Sequence, residues 1–496
     1  MNTILLVNLP RQEAERPPAV IAGLAGICKS AGKDYDVVDF NLEIIKHFSD
    51  VEWRELQNYL AYYTAICPSH LIEKFKNLAN DVFPRKDYTA IAISLFTFET
   101  IRAANLLLPL LRKLYSNSKI IIGGHGAGHN DIDHESVPFY QWAIQANLID
   151  YYILGEAELS FKEFLVNPSK WRNSNTKYIV DNLNDVPFAC YDKILPSDYL
   201  NTEPLGAYVT GSRGCVRDCT FCDVKHIWTK YRFRTANHLF EEVLYHHLNY
   251  DVTLIEFTDN LINGSVTEFK RFNELLVNAQ EKYPSLKNLR YRGDFICRPK
   301  EQFGEEHFKI MKLAGGTDIV VGIESFSQDV RYHMGKKFTN EDIDFHLYCS
   351  GKYGIQNTFL MQVGYPTETQ ADHDINVLYT KRYQKYALSR IIKLIRWGYT
   401  TGILPGSPLD TIYRDSLPLV KEFSDKEVFY YGDYNWINAS NLTATFAERI
   451  RRRMELHFLS KKLRYNQPRI YDEFNFIYSI LGSTFTAKKA FKIEAV

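Results

Sequence analysis

Twice along this chain, short apolar runs alternate with stretches patterned as amphipathic helices, and a Pro/Asp/Asn-punctuated passage separates the two series. The first series sets strands at Ile4–Val7, Tyr35–Phe40, Ala90–Ser94, Lys119–Ile122 and Tyr151–Leu154, with helices over Ala19–Ser30, Glu99–Tyr115 and from about Ala157. Continuous apolar runs without polar alternation mark strands buried on both faces, which a parallel sheet covered by helices provides. Residues 1–182 are therefore expected to form a doubly wound parallel sheet, and 183–205 a linker. The second series has strands at Ala207–Thr210, Thr253–Phe257, Leu289–Arg292, Asp318–Gly322 and Thr358–Val363. Consecutive βα units of this kind predict a full or partial α/β barrel over 206–410, with its chemistry at the strand carboxyl ends. The alternation fades in 411–496, an aromatic-rich region that reads as mainly helical.

Composition narrows the class. Of 496 residues, 45% are hydrophobic and 24% charged, which excludes a disordered chain. Fifty-nine Lys+Arg balance 59 Asp+Glu, so net charge exerts no global pull toward nucleic acid or an anionic membrane. No run approaches the length of a membrane span, and the first residues lack the basic lead of a signal peptide. Five of the eight cysteines stand singly and three are bunched, which is no disulfide framework and points to a reducing cytoplasm.

The strand ends of the first series read Ser94-Leu-Phe, Gly123-Gly124-His-Gly-Ala-Gly and Gly155-Glu156. Glycines there either let the backbone approach a bulky ligand or build a tight turn, and both readings stand. Near the C-terminus, Phe446, Ile450, Met454 and Phe458 recur every four residues as a helical apolar stripe. Arg449, Arg451, Arg452, Arg453, Lys461, Lys462 and Arg464 crowd its other sides and read as a solvated face, with an anionic-partner patch as the alternative.

The segment Thr210-Gly-Ser-Arg-Gly-Cys215-Val-Arg-Asp-Cys219-Thr-Phe-Cys222 follows the first strand of the second series. Three thiolates at Cys-x3-Cys-x2-Cys suit a [4Fe-4S] cluster that takes three ligands from protein and keeps one iron open. Zinc is the competitor, with His226 as its fourth ligand.

The cysteine segment, with Phe221 just before the third cysteine, resembles the radical S-adenosylmethionine (SAM) superfamily. Further segments resemble it in order: Thr258-Asp259-Asn260, Arg292-Gly-Asp294, Gly322-Ile-Glu324-Ser325, Gly364-Tyr-Pro-Thr-Glu368-Thr and Pro405-Gly-Ser-Pro408. The resemblance implies Cys215, Cys219 and Cys222 as cluster ligands, and Phe221, Asp259, Asn260, Arg292, Glu324 and Ser325 around SAM. It also implies cleavage of SAM to a 5′-deoxyadenosyl radical, with the cofactor carrying the hard chemistry. The first domain resembles the cobalamin-binding domain of one large subgroup, which implicates Ser94, Gly123, Gly124, Gly155 and Glu156 in holding cobalamin. The Asp-x-His-x-x-Gly loop of other cobalamin proteins is replaced by Asn8-Leu-Pro-Arg-Gln, so no histidine is expected beneath the cobalt, and His125 and His129 read as loop residues.

The expected function is thus a cobalamin-dependent radical SAM enzyme that methylates an unactivated carbon of a small-molecule substrate, fed by an external electron donor such as flavodoxin or ferredoxin. Two alternatives stay open: a cobalamin-independent radical SAM enzyme performing a rearrangement or cyclisation, and a non-catalytic metal-binding or nucleic-acid-binding module. The methylthiotransferase branch would bring three further N-terminal cysteines, where this chain has Cys28 and Cys67. Cys297, Cys349, Tyr291 and Tyr365 read as core residues.

Overall fold

The structure is a computed structural model that describes residues 3–10, 14–61, 66–129, 137–199, 204–404, 407–413 and 446–466. Pro405 and Gly406 of the late turn, the stretches 414–445 and 467–496, and the side chains of His226, Phe446 and Ile450 lie outside the described residues.

Strands Thr3–Asn8 (β1), Asp34–Asp39 (β2), Ala90–Ser94 (β3), Lys119–Gly123 (β4) and Tyr151–Ile153 (β5) form one sheet in the order β2-β1-β3-β4-β5. Every pair is parallel. Leu5, Val7, Ile91 and Ile93 share a core with Phe40, Phe75, Leu107 and Leu111. Leu6 and Ala92, of opposite parity, are equally buried outside that cluster, as strands covered on both faces require. The strand order reverses between β1 and β3, the switch point beyond which such sheets bind ligands.

The second series supplies Gly206–Val209 (β6), the short antiparallel pair Ser212–Arg213 (β7) and Arg232–Phe233 (β8), then Leu254–Phe257 (β9), Arg290–Phe295 (β10), Gly316–Glu324 (β11), Gln356–Val363 (β12) and Ile392–Thr400 (β13). The larger strands are ordered β6-β9-β10-β11-β12-β13, so β6 and β13 are edges and the barrel is partial. The sixth large strand, β13, extends the expected series. Its Lys393 and Arg396 interrupt the apolar pattern because they sit on the exposed side of an edge strand, where charge also guards against stray pairing.

Packing gathers the described residues into two compact units, one within 1–213 and 230–291, the other within 214–229, 292–413 and 446–466. Among the described residues no helix is long and apolar enough to cross a membrane.

The C-terminal helix Phe446–Lys462 corrects the expectation of a solvated basic face. Arg449 and Arg452 are fully buried, whereas Lys461 and Lys462 are exposed. The reason is an acid on another element: Arg452 Nη1 donates to Glu368 Oε1 at 3.1 Å, and Glu368 Oε2 accepts the backbone N–H of Gly364 at 3.0 Å. Trp397 on β13 completes the docking by donating to Ser460 Oγ at 2.9 Å. The helix therefore buries Arg449, Arg452, Leu456 and Ser460, a face adjoining the expected apolar stripe.

Candidate active site

Cys215, Cys219 and Cys222 are free, half-buried thiols on one loop. The loop is fixed through Thr220. Its N–H donates to Met334 O at 3.0 Å and its carbonyl accepts from Leu409 N at 2.7 Å. Its hydroxyl lies 2.8 Å from the Tyr365 hydroxyl. Tyr365 belongs to a small apolar cluster with Val330, Met334, Ile403 and Leu409, against which Phe221 packs. Thr220 thus anchors the loop through groups other than sulfur, while Cys215 Sγ accepts the Arg217 N–H at 3.4 Å. Burial pushes the Cys222 thiol up to about 11 and raises that of Cys219, with Lys336 opposing the rise at Cys219. Both groups therefore gain from a positive centre that takes the thiolate.

The donor set fits a cluster. Among the described residues no three His, Cys, Asp or Glu side chains converge on a single ion. A cubane offers each thiolate its own iron, so three sulfurs spread along a short loop suit it better than tetrahedral zinc.

Glu324 ends β11, where the register with β12 slips between Gly322 and Glu324. Its φ is +67°, a left-handed conformation that non-glycine residues adopt at a cost and that concentrates at functional sites. Its carboxylate lies 3.0 Å from Lys336 Nζ, and that ammonium donates to Gly322 O at 2.7 Å. Gly322 leaves room for this pair, since a Cβ there would stand 2.6 Å from Glu324 Oε1 and 3.0 Å from Lys336 Nζ and displace them. Lys336 also lies 5.9 Å above the Phe221 ring. The fold thus brings Phe221, Glu324 and Lys336 together with the cysteine loop. Sequence reading missed Lys336, which carries no motif of its own and reaches the site from a different element. Ser325 is fully buried and hydrogen-bonded to Asn376 at 3.2 Å, which makes its side chain part of the support beneath Glu324.

Asp259, just beyond β9, is 5% exposed, and its Oδ2 accepts the Gly211 N–H at 2.8 Å. Burial raises its pKa to about 7, although bonds from Ser212 and Gly211 favour the charged form. The carboxyl borders a cavity of about 30 Å³ with Ser212, Tyr231 and Arg234, room for a water. Asp259 therefore holds the two residues that lead into the cysteine segment. Asn260 is half-buried beside it, and Arg292 is half-buried on β10.

In the first sheet, Ser94 and Gly123 are register partners at adjoining strand ends, and Gly124 follows with φ +104°. Gly155 has φ +82°, and a Cβ there would lie 2.5 Å from Tyr178 O, so its lack of a side chain serves a tight backbone crossing. Glu156 is occupied by protein groups. Arg232 donates to it from Nη1 at 2.8 Å and Nη2 at 2.5 Å, Arg213 Nη1 stands 3.1 Å away, and Val180 N donates at 2.7 Å. Burial alone would raise its pKa, but Arg232 and Arg213 hold it below the usual carboxylate range. Arg213 pairs with Glu158 as well. Tyr291, Cys297 and Cys349 are buried core residues.

Comparison with known proteins follows the same lines. Residues 209–376 match the Radical SAM superfamily, so the chain carries a radical SAM domain, as its cysteine segment implied. The fold resembles that of solved cobalamin-dependent radical SAM proteins. The radical SAM methyltransferase TsrM from Kitasatospora setae, solved with cobalamin and a [4Fe-4S] cluster, aligns with a TM-score of 0.63 over 99% of this chain and 97% of its own, at 15% identity. The cobalamin-dependent SAM radical enzyme OxsB, solved with aqua-cobalamin, aligns with a TM-score of 0.60 over 99% and 70%, at 15% identity. An uncharacterized methyltransferase of Pyrococcus horikoshii is 25% identical over 254 residues, 47% of this chain and 53% of that protein. A tRNA-2-methylthio-N(6)-dimethylallyladenosine synthase of Ehrlichia canis is 25% identical over 201 residues, 39% of this chain and 45% of that one. The chain spans about half the length of the curated relatives it matches.

Proposed function

We propose that this protein is a cobalamin-dependent radical SAM methyltransferase acting on an unactivated carbon of a small molecule. The observation that carries the reading is the loop of Cys215, Cys219 and Cys222 lying with Phe221, Glu324 and Lys336 at the strand ends of a partial barrel. Cys215, Cys219 and Cys222 would hold a [4Fe-4S] cluster, which would supply the electron that cleaves SAM, and cobalamin beyond the ends of β3 and β4 would supply the methyl group. The chain's own residues do the rest. Thr220 and Tyr365 hold the loop, Glu324 is set to receive a donor of SAM, and Asp259 fixes the backbone leading into the cysteines. Ser94, Gly123 and Gly124 offer the corrinoid a surface of small side chains. The solved relative TsrM with tryptophan and a SAM analogue bound supports a small-molecule acceptor. Reduction draws on an external donor such as flavodoxin or ferredoxin.

The methylthio-transferring relative does not shift this reading. Cys28 and Cys67 are both buried, Cys67 within the apolar core of the first sheet, and they lack the third N-terminal cysteine of that branch.

Anaerobic purification with cobalamin supplied, followed by iron, sulfide and corrinoid analysis, tests the proposal. About four iron and one corrinoid per chain are expected. Iron without corrinoid would return the function to rearrangement or cyclisation, and zinc without iron would overturn the radical reading.

A further inference from the structure

We propose that Lys336 sets the reduction potential of the cluster held by the cysteine loop, with Glu324 fixing its ammonium in place. This rests on the cluster reading above.

Lys336 follows the helix Gln328–His333 and is 7% exposed. A lysine withdrawn from water to this degree needs partners for its charge, and it has two: Gly322 O at 2.7 Å and Glu324 Oε1 at 3.0 Å. Those partners come from the bulged end of β11, so the pair and the left-handed backbone of Glu324 hold one another. The ammonium also faces the loop, above the Phe221 ring at 5.9 Å. Its charge acts on Cys219 more strongly than that of Glu324 does, and it reaches Cys215 too.

A four-iron cluster held by three thiolates carries net negative charge and gains another on reduction. Reduction potential follows net charge and the fixed charges nearby, strongly so where water is excluded. A buried cation beside the thiolates therefore favours the reduced cluster, and its paired anion works against it.

The test uses the full chain, loaded anaerobically with iron and sulfide and without SAM. Midpoint potentials come from an EPR-monitored redox titration, alongside iron and sulfide content. Lys336→Gln should shift the potential down and Lys336→Arg should leave it near wild type. Glu324→Gln should shift it up. The double variant K336Q/E324Q, which leaves no orphaned charge, should fall below wild type but above K336Q, and it carries the test if K336Q fails to fold. General damage to the loop would not move the two single variants in opposite directions. Wild-type potentials in K336Q, or in the double variant, at wild-type iron content overturn the inference. A wild-type chain that takes up no iron overturns the cluster reading and this inference with it.

Discussion

Arg232 grips both carboxylate oxygens of Glu156, through Nη1 at 2.8 Å and Nη2 at 2.5 Å, while Arg213 reaches the same carboxylate at 3.1 Å. Those arginines stand on β8 and β7, the paired residues between which the cysteine segment departs and returns. One acid following β5 therefore closes the neck of that segment.

Glu156→Gln keeps the shape of the side chain and removes its charge, leaving the largely enclosed Arg232 without its carboxylate and Arg213 with Glu158 alone. Breaking a buried pair from one side costs about 3–5 kcal/mol. The variant should lose stability in chemical denaturation and retain less iron than wild type after anaerobic loading. Unchanged stability and iron would dismiss the clamp.

Cys215→Ala, Cys219→Ala and Cys222→Ala should each abolish SAM cleavage and leave the far-UV circular dichroism largely intact, since Thr220 anchors the loop through its backbone and hydroxyl. Cleavage at the wild-type rate in any of the three would remove that cysteine from the ligand set.

Asp259 predicts a pH dependence. Its folded pKa, about 7, lies above the unfolded value near 4, so the native state keeps a proton that the unfolded chain has lost. Its contribution is full below about pH 4, declines as pH rises, and is gone above about 7, a change of up to about 4 kcal/mol. Asp259→Asn keeps an acceptor for Gly211 without the titration. The melting temperature of the variant should gain on wild type between pH 5 and 8, and a constant difference across that range would sink the assignment.

Glu368 and Arg452 predict how the C-terminal helix is held. Glu368→Ala leaves Arg452 with Glu448 alone and removes an acid whose charge favours the buried Arg449, at a cost of up to about 3 kcal/mol. Limited proteolysis should then cut within 446–466 at protease doses that spare the wild type. Equal resistance would show the helix held by its apolar contacts alone.

These residues also mark how much was legible beforehand. The strands of the first sheet and the cysteine segment were readable because each declares itself locally, by an apolar run or by spacing. β13 escaped because an edge strand interleaves Lys393 and Arg396 with its apolar residues. The arginines of Phe446–Lys462 read as solvated because the acid that buries one of them, Glu368, lies 84 residues away. Lys336 had no local sign at all, and Glu156 was legible as a marked position but not as a partner of arginines. Pairing across distant elements is what a single sequence hides.

The Glu156 neck bears on modularity. Recombination could join a barrel of this kind to another leading domain, or strip that domain away once its corrinoid is no longer needed. Here a barrel beginning at β6 would keep Arg213 and Arg232 and lose the carboxylate they share. Losing the leading domain would thus cost the barrel this salt bridge as well as a cofactor, and any graft must bring an acid to the same place.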